Sequence, residues 1–143
     1  MAVANLQEII LTSIMRKNAL TADLITLSNQ KRLATYSRAD EDSLLNCAKA
    51  ELRANFSEMF DQDESLQDLY DDYTEIPDYV EQMDILTAQY EEKMNELANW
   101  ELDIDAQMTT DNTELAEINA YLESFKSMES ANIQEDFNYG LNK

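Results

Sequence analysis

The stretch IPDYVEQMDILTAQYEEKMNELANWELDIDAQMTTDNTELAEINAYLESF, residues 76–125, decides the fold. Alternating strides of four and three residues through it pick out Ile76, Val80, Met83, Thr87, Tyr90, Met94, Leu97, Glu101, Ile104, Met108, Asp111, Leu115, Ile118, Leu122 and Phe125. Twelve of these fifteen positions are apolar. The stretch has no glycine, and its one proline, Pro77, sits where a helix begins and a missing N–H costs nothing. A 3-4 repeat held over seven heptads marks a long helix whose seam packs on another helix.

The flanks of the seam sharpen this. With Val80 at heptad position a, the g positions are Tyr79, Leu86, Lys93, Trp100, Gln107, Glu114 and Tyr121, four of them large and at least partly apolar. A face widened in this way suits contact with two or more helices. The e positions Asp84, Glu91 and Asp105 are acidic, which favours a basic neighbour over a parallel copy of the same helix.

The spacing predicts a helix over 78–137, with Met128, Ile133 and Phe137 making a last packing contact before Gly140 ends it. Its weak point is Thr109–Thr113, five consecutive poor helix formers, where Asp111 and Glu114 imitate a capping box. Met108 and Leu115 keep phase across that segment, so continuity is expected.

Working backwards, residues 61–76 read as a connector. Asp61–Ser65 is polar, and Leu66, Leu69, Tyr70 and Tyr73 suggest a short helix. Residues 3–60 form an N-terminal arm with Val3, Leu6, Ile10, Ile14, Leu20, Leu24, Leu27 and Ala34 on one face and Arg16-Lys17 and Lys31-Arg32 on the other. Leu45, Ala48, Leu52, Phe56 and Met59 continue an apolar face. A bend at 37–42, with Asp40 as N-cap, is one reading and a single helix is the other. The chain is therefore expected to be all-α and one domain, either a long antiparallel helical hairpin or an elongated three-helix bundle.

Composition narrows the function. One glycine and one proline in 143 residues leave too few turn residues for sheets, barrels or phosphate loops. With no histidine there is no Ser-His-Asp or Cys-His arrangement and no imidazole ligand. The single Cys47, set among Leu44, Leu45, Ala48 and Leu52, cannot form a disulfide within the chain and reads as a small buried side chain. No catalytic, cofactor or small-molecule site is expected.

Charge is split along the chain. Residues 1–55 hold seven basic and six acidic side chains, net +1; residues 56–143 hold three basic and twenty-four acidic ones, net −21. Such a surface repels nucleic-acid phosphates and anionic membranes and attracts basic proteins. The basic N-terminal helix is expected to pack on the acidic arm of its own chain rather than on a membrane. Glu8 precedes Ile9-Ile10-Leu11 and Arg16-Lys17 follow it, the reverse of a secretory signal, and no run is long enough to span a bilayer. A cytoplasmic protein is the expectation, with non-classical export open.

Two windows imitate calcium loops, Asp61–Asp72 and Asp103–Glu114, but Leu66 and Met108 occupy the sixth position, which needs glycine. No metal site is expected. Thr87, Glu101 and Asp111 interrupt the seam and would fix register or partner choice, unless the helix turns the two acids into water. Tyr70, Tyr73 and Tyr79 cluster with Asp71, Asp72 and Asp78 around the connector; with Trp100 they are candidates for partner contact, the alternative being that they cap the bundle end. The functional expectation is a non-enzymatic helical interaction or assembly protein, a scaffold or filament component that binds a protein partner or its own copies. An acidic helical chaperone or export-associated client binder is the alternative, and a nucleic-acid mimic a further one.

Overall fold

The computed structural model describes the backbone of residues 3–141 and the side chains of residues 4–135. Its elements are α1 (Val3–Gln62), α2 (Glu64–Leu69), a 3₁₀ turn (Tyr73–Glu75) and α3 (Pro77–Leu141), with no strand among the described residues. The protein is an all-α helical hairpin in which α1 packs antiparallel on α3.

Both long helices run through their weak segments. α1 is uninterrupted at 37–42, so Asp40 caps no helix start and the three-helix alternative falls away. α3 is uninterrupted at 109–113. There each of three threonines donates its hydroxyl to the carbonyl one turn back, which satisfies the hydroxyl without adding to helix stability: Thr109 to Asp105 at 2.9 Å, Thr110 to Ala106 at 3.0 Å and Thr113 to Thr109 at 2.9 Å. α3 also passes Gly140 and runs to Leu141, the last residue whose backbone is described, which corrects the expected stop at Gly140. Met128 and Ile133 are 47% and 50% exposed, and the side chain of Phe137 lies outside the described residues.

The connector is a chain of local caps. Gln67 donates its side-chain amide to the Phe60 and Asp61 carbonyls at 2.9 and 3.2 Å, meeting acceptors that the end of α1 leaves open. Asp63 caps α2 by accepting the Ser65 N–H at 3.0 Å. The Ser65 hydroxyl and N–H hold the Asp63 carboxyl below its usual pKa. Asp72 accepts from the Tyr73 N–H and the Thr74 hydroxyl to start the 3₁₀ turn. Pro77 then opens α3.

The chain divides into two compact units. Unit 1 joins Met1–Gln30 to Asp103–Lys143 and is built on Leu6, Ile10 and Leu122, with Ile14, Ile118 and Phe125 packed against them. Unit 2, Lys31–Leu102, is built on Phe56, Ile76 and Tyr79, surrounded by Leu52, Phe60, Leu66, Tyr70, Tyr73 and Met83.

The stripe of α3 packs as its spacing dictates, with one exception. Ile76, Ile104 and Leu122 are buried and eleven other positions are half-buried, whereas Val80 is 45% exposed. Tyr79, one residue back, takes its place in the core. Beside the connector the buried face therefore shifts toward g, where the larger ring reaches Phe56.

Candidate functional site

Three features carry more than generic packing, and every contact described for them lies within one unit. The first is the aromatic end of unit 2. Tyr79 stacks edge-on against Phe56, with ring centroids 5.5 Å apart, and against Tyr73 at 5.4 Å. Tyr70 and Tyr73 close over the same cluster and are half-buried. These rings are core or core cover, fixed by edge-to-face geometry. Trp100, grouped with them from sequence, lies 21 residues further along α3, about 31 Å at 1.5 Å per residue, and is half-buried there.

The second is the polar part of the seam. Thr87 is half-buried and donates its hydroxyl to the Met83 carbonyl at 2.9 Å, so it reaches no partner on α1 through that bond. Glu101, in unit 2, stays on the seam and accepts from Arg38 of α1 at 2.9 Å; its side chain is 19% exposed and that of Arg38 41%. Also in unit 2, Lys93 lies 3.8 Å from Glu41, and the Tyr90 hydroxyl donates to Asp42, which raises the Tyr90 pKa.

In unit 1 the Arg16 guanidinium grips Glu114 through two bonds of 2.8 and 2.9 Å and holds its carboxyl below the usual range. Asp111, one turn from that pair, faces Asp23 of α1. Its Oδ2 is shut off from solvent, and no donor among the described residues satisfies it. Two carboxyls can hydrogen-bond only through a shared proton. That pairing with Asp23 raises the Asp111 pKa, burial and the Asp23 charge raise it further, and Arg16 offsets part of the rise. Neither Glu101 nor Asp111 has turned into open water.

Arg16, Asp23 and Arg38 carry these contacts and were not singled out from sequence, which assigned Arg16 to the outer face of α1. Continuing the 3-4 stride through polar residues would have found Arg38. Leu6, Ile10, Ser13, Lys17, Leu20, Leu24, Leu27, Lys31, Ala34, Arg38, Glu41, Leu45, Ala48 and Leu52 keep the alternation, and all but Lys31 are buried or half-buried.

The third place is a groove along one side of unit 2. One section, with a cavity volume of about 530 Å³, runs between Glu41, Leu44, Leu45 and Ala48 of α1 and Leu86, Tyr90, Lys93 and Glu96 of α3. A second, about 290 Å³, continues it past Leu52 and Ile85 and shares Ala48 and Leu86 with the first. Leu44 is 62% exposed and Ile85 48%. Leu86 is one of the apolar g positions that widened the seam in sequence.

No group of three or more His, Cys, Asp or Glu that could hold a metal ion occurs among the described residues. The calcium-like window 103–114 lies inside α3, and a continuous helix cannot wrap a cation as a loop does. Cys47 is exposed, correcting its expected burial. No helix among the described residues is long and apolar enough to cross a membrane. Compared with protein-family models, curated proteins and solved structures, the chain matches none.

Proposed function

We propose that this chain is a non-enzymatic interaction protein, a scaffold or filament-type assembly component whose helices take up further helices by coiled-coil packing. The observation that supports it most is apolar surface left over once α1 and α3 have packed. Leu44, Ile85 and Leu102 of unit 2 stand 62%, 48% and 66% exposed, and two of them share one groove. Single exposed apolar side chains are ordinary; a groove with several is a docking feature.

Light scattering across a dilution series, paired with capture by the intact chain and by a Leu44→Ser/Ile85→Ser/Leu102→Ser variant, tests the proposal. It expects either a mass that rises with concentration or a captured protein, and in both cases sensitivity to the variant. A strict monomer with variant-insensitive capture refutes it.

The net charge of −21 on residues 56–143 supports a second reading, an acidic client binder, chaperone-like or export-associated. Capture that collapses on adding salt favours it. Competition by DNA for the captured protein would instead point to nucleic-acid mimicry.

A further inference from the structure

We infer that the groove of unit 2 is the docking site for a cationic amphipathic helix of a separate partner protein. This rests on the interaction reading above and supplies the partner's chemistry. The floor is apolar and comes from both helices: Leu44, Leu45, Ala48 and Leu52 of α1, Ile85 and Leu86 of α3. It extends from residue 41 to 55 on α1 and from 82 to 96 on α3, about 21 Å on each at 1.5 Å per residue. That length accepts about four turns of helix with anchors at i, i+3 or i+4, i+7 and i+11.

Charge selects the occupant. Glu51, Glu92 and Glu96 line the groove, and none of them forms an ion pair among the described residues. The one lysine lining it, Lys93, is beside Glu41. Lys49 and Arg53, close by in sequence, do not line it. An apolar floor with an acidic border fits a helix with leucine-like anchors flanked by lysine or arginine.

A second copy of this chain fits less well. It would bring a net charge of −20, and three of its ten cations are engaged at home: Arg16 with Glu114, Arg38 with Glu101, Lys93 with Glu41.

The test uses the full chain and fluorescence anisotropy. The probe is a labelled 18-residue peptide with leucine on one helical face and lysine elsewhere. One comparison peptide has the same composition in an order that gives no apolar face, and another has glutamate in place of lysine. The amphipathic lysine peptide is expected to bind about tenfold tighter than the reordered one, and the glutamate peptide not to bind. Leu44→Ser/Ile85→Ser should weaken binding about tenfold through lost apolar burial. Both sites are exposed enough to change without disturbing the core, and circular dichroism verifies this. Leu69→Ser, exposed and outside the groove, should leave binding unchanged. Glu92→Gln/Glu96→Gln should weaken it severalfold and flatten its salt dependence.

Equal affinity for the reordered peptide, or no loss in Leu44→Ser/Ile85→Ser, overturns the inference. So does a dimer that this variant dissociates, since the groove's occupant is then a second copy. Self-association through the Leu102 face in a chain that ignores the peptide would sink the inference and leave the interaction reading intact. A strict monomer with neither peptide binding nor variant-sensitive capture would remove both.

Discussion

Ile104→Ala and Val80→Ala separate the packed seam from the one written in the sequence. Both residues lie on the same 3-4 stripe, yet Ile104 is 2% exposed and Val80 is 45% exposed. Ile→Ala removes three carbons; at about 0.8 kcal/mol per buried methylene the transfer loss is about 2.4 kcal/mol. The hole left behind adds to this, though a two-helix interface can close partly over it, so the total should reach about 3 kcal/mol. Val→Ala removes two carbons, roughly half of their surface already wet, for about 0.9 kcal/mol. Urea unfolding followed by circular dichroism at 222 nm measures both, provided the slope with denaturant is unchanged. Equal losses, or a loss below about 1 kcal/mol for Ile104→Ala, would refute the reasoning, because α3 would then present a different face to α1.

Asp111→Asn tests the carboxyl pair. A raised native pKa makes a contribution to stability that is fully present below the unfolded value and is lost as pH rises through the native one. Glu114, with a lowered native pKa, behaves oppositely, its contribution vanishing as pH falls, but it is common to both proteins. The melting temperature of the variant relative to the parent should therefore climb as pH rises from about 4 to 7; a difference independent of pH contradicts the pairing with Asp23. Glu101→Ala should cost only about 1 kcal/mol or less, since Arg38 is 41% exposed and can turn to water. A loss of several kcal/mol in a double-mutant cycle with Arg38→Ala would show a far stronger pair than this. Tyr79→Ala should cost about 3 kcal/mol, because it empties the centre of the Phe56 and Tyr73 ring cluster; Leu69→Ser, on an exposed side chain, should change stability by less than about 0.5 kcal/mol in the same titration.

What could be read from sequence follows the physics of each signal. The seam of α3 was legible because apolar residues at a fixed stride leave few alternatives, and Pro77 marked its beginning. The continuity of both helices was harder to read. Thr109–Thr113 and the polar segment around Asp40 have poor local propensity, and packing along the whole seam overrides it. The seam of α1 was only half visible, since Lys17, Lys31, Arg38 and Glu41 occupy strides where an apolar residue was sought. Two of them are held there by charge, Arg38 reaching Glu101 of α3 and Glu41 meeting Lys93. Tyr70, Tyr73 and Tyr79 were legible as a cluster, but whether they face a partner or the core depends on Phe56, which is distant in sequence. The groove could not be read at all beyond the hint of Leu86 at position g, because its other wall belongs to α1.

The most direct measurement cross-links the two chain segments of unit 1. Leu6 and Leu122 share one buried cluster. Leu6→Cys/Leu122→Cys, made in a Cys47→Ser background and treated with a short bismaleimide, should close within a single chain. Mixing ¹⁴N- and ¹⁵N-labelled protein before reaction should then give cross-linked monomers of each label and no mixed species. Mixed-label dimers as the main product would mean that the seam of α3 is filled by another chain, contradicting the antiparallel hairpin on which the rest depends.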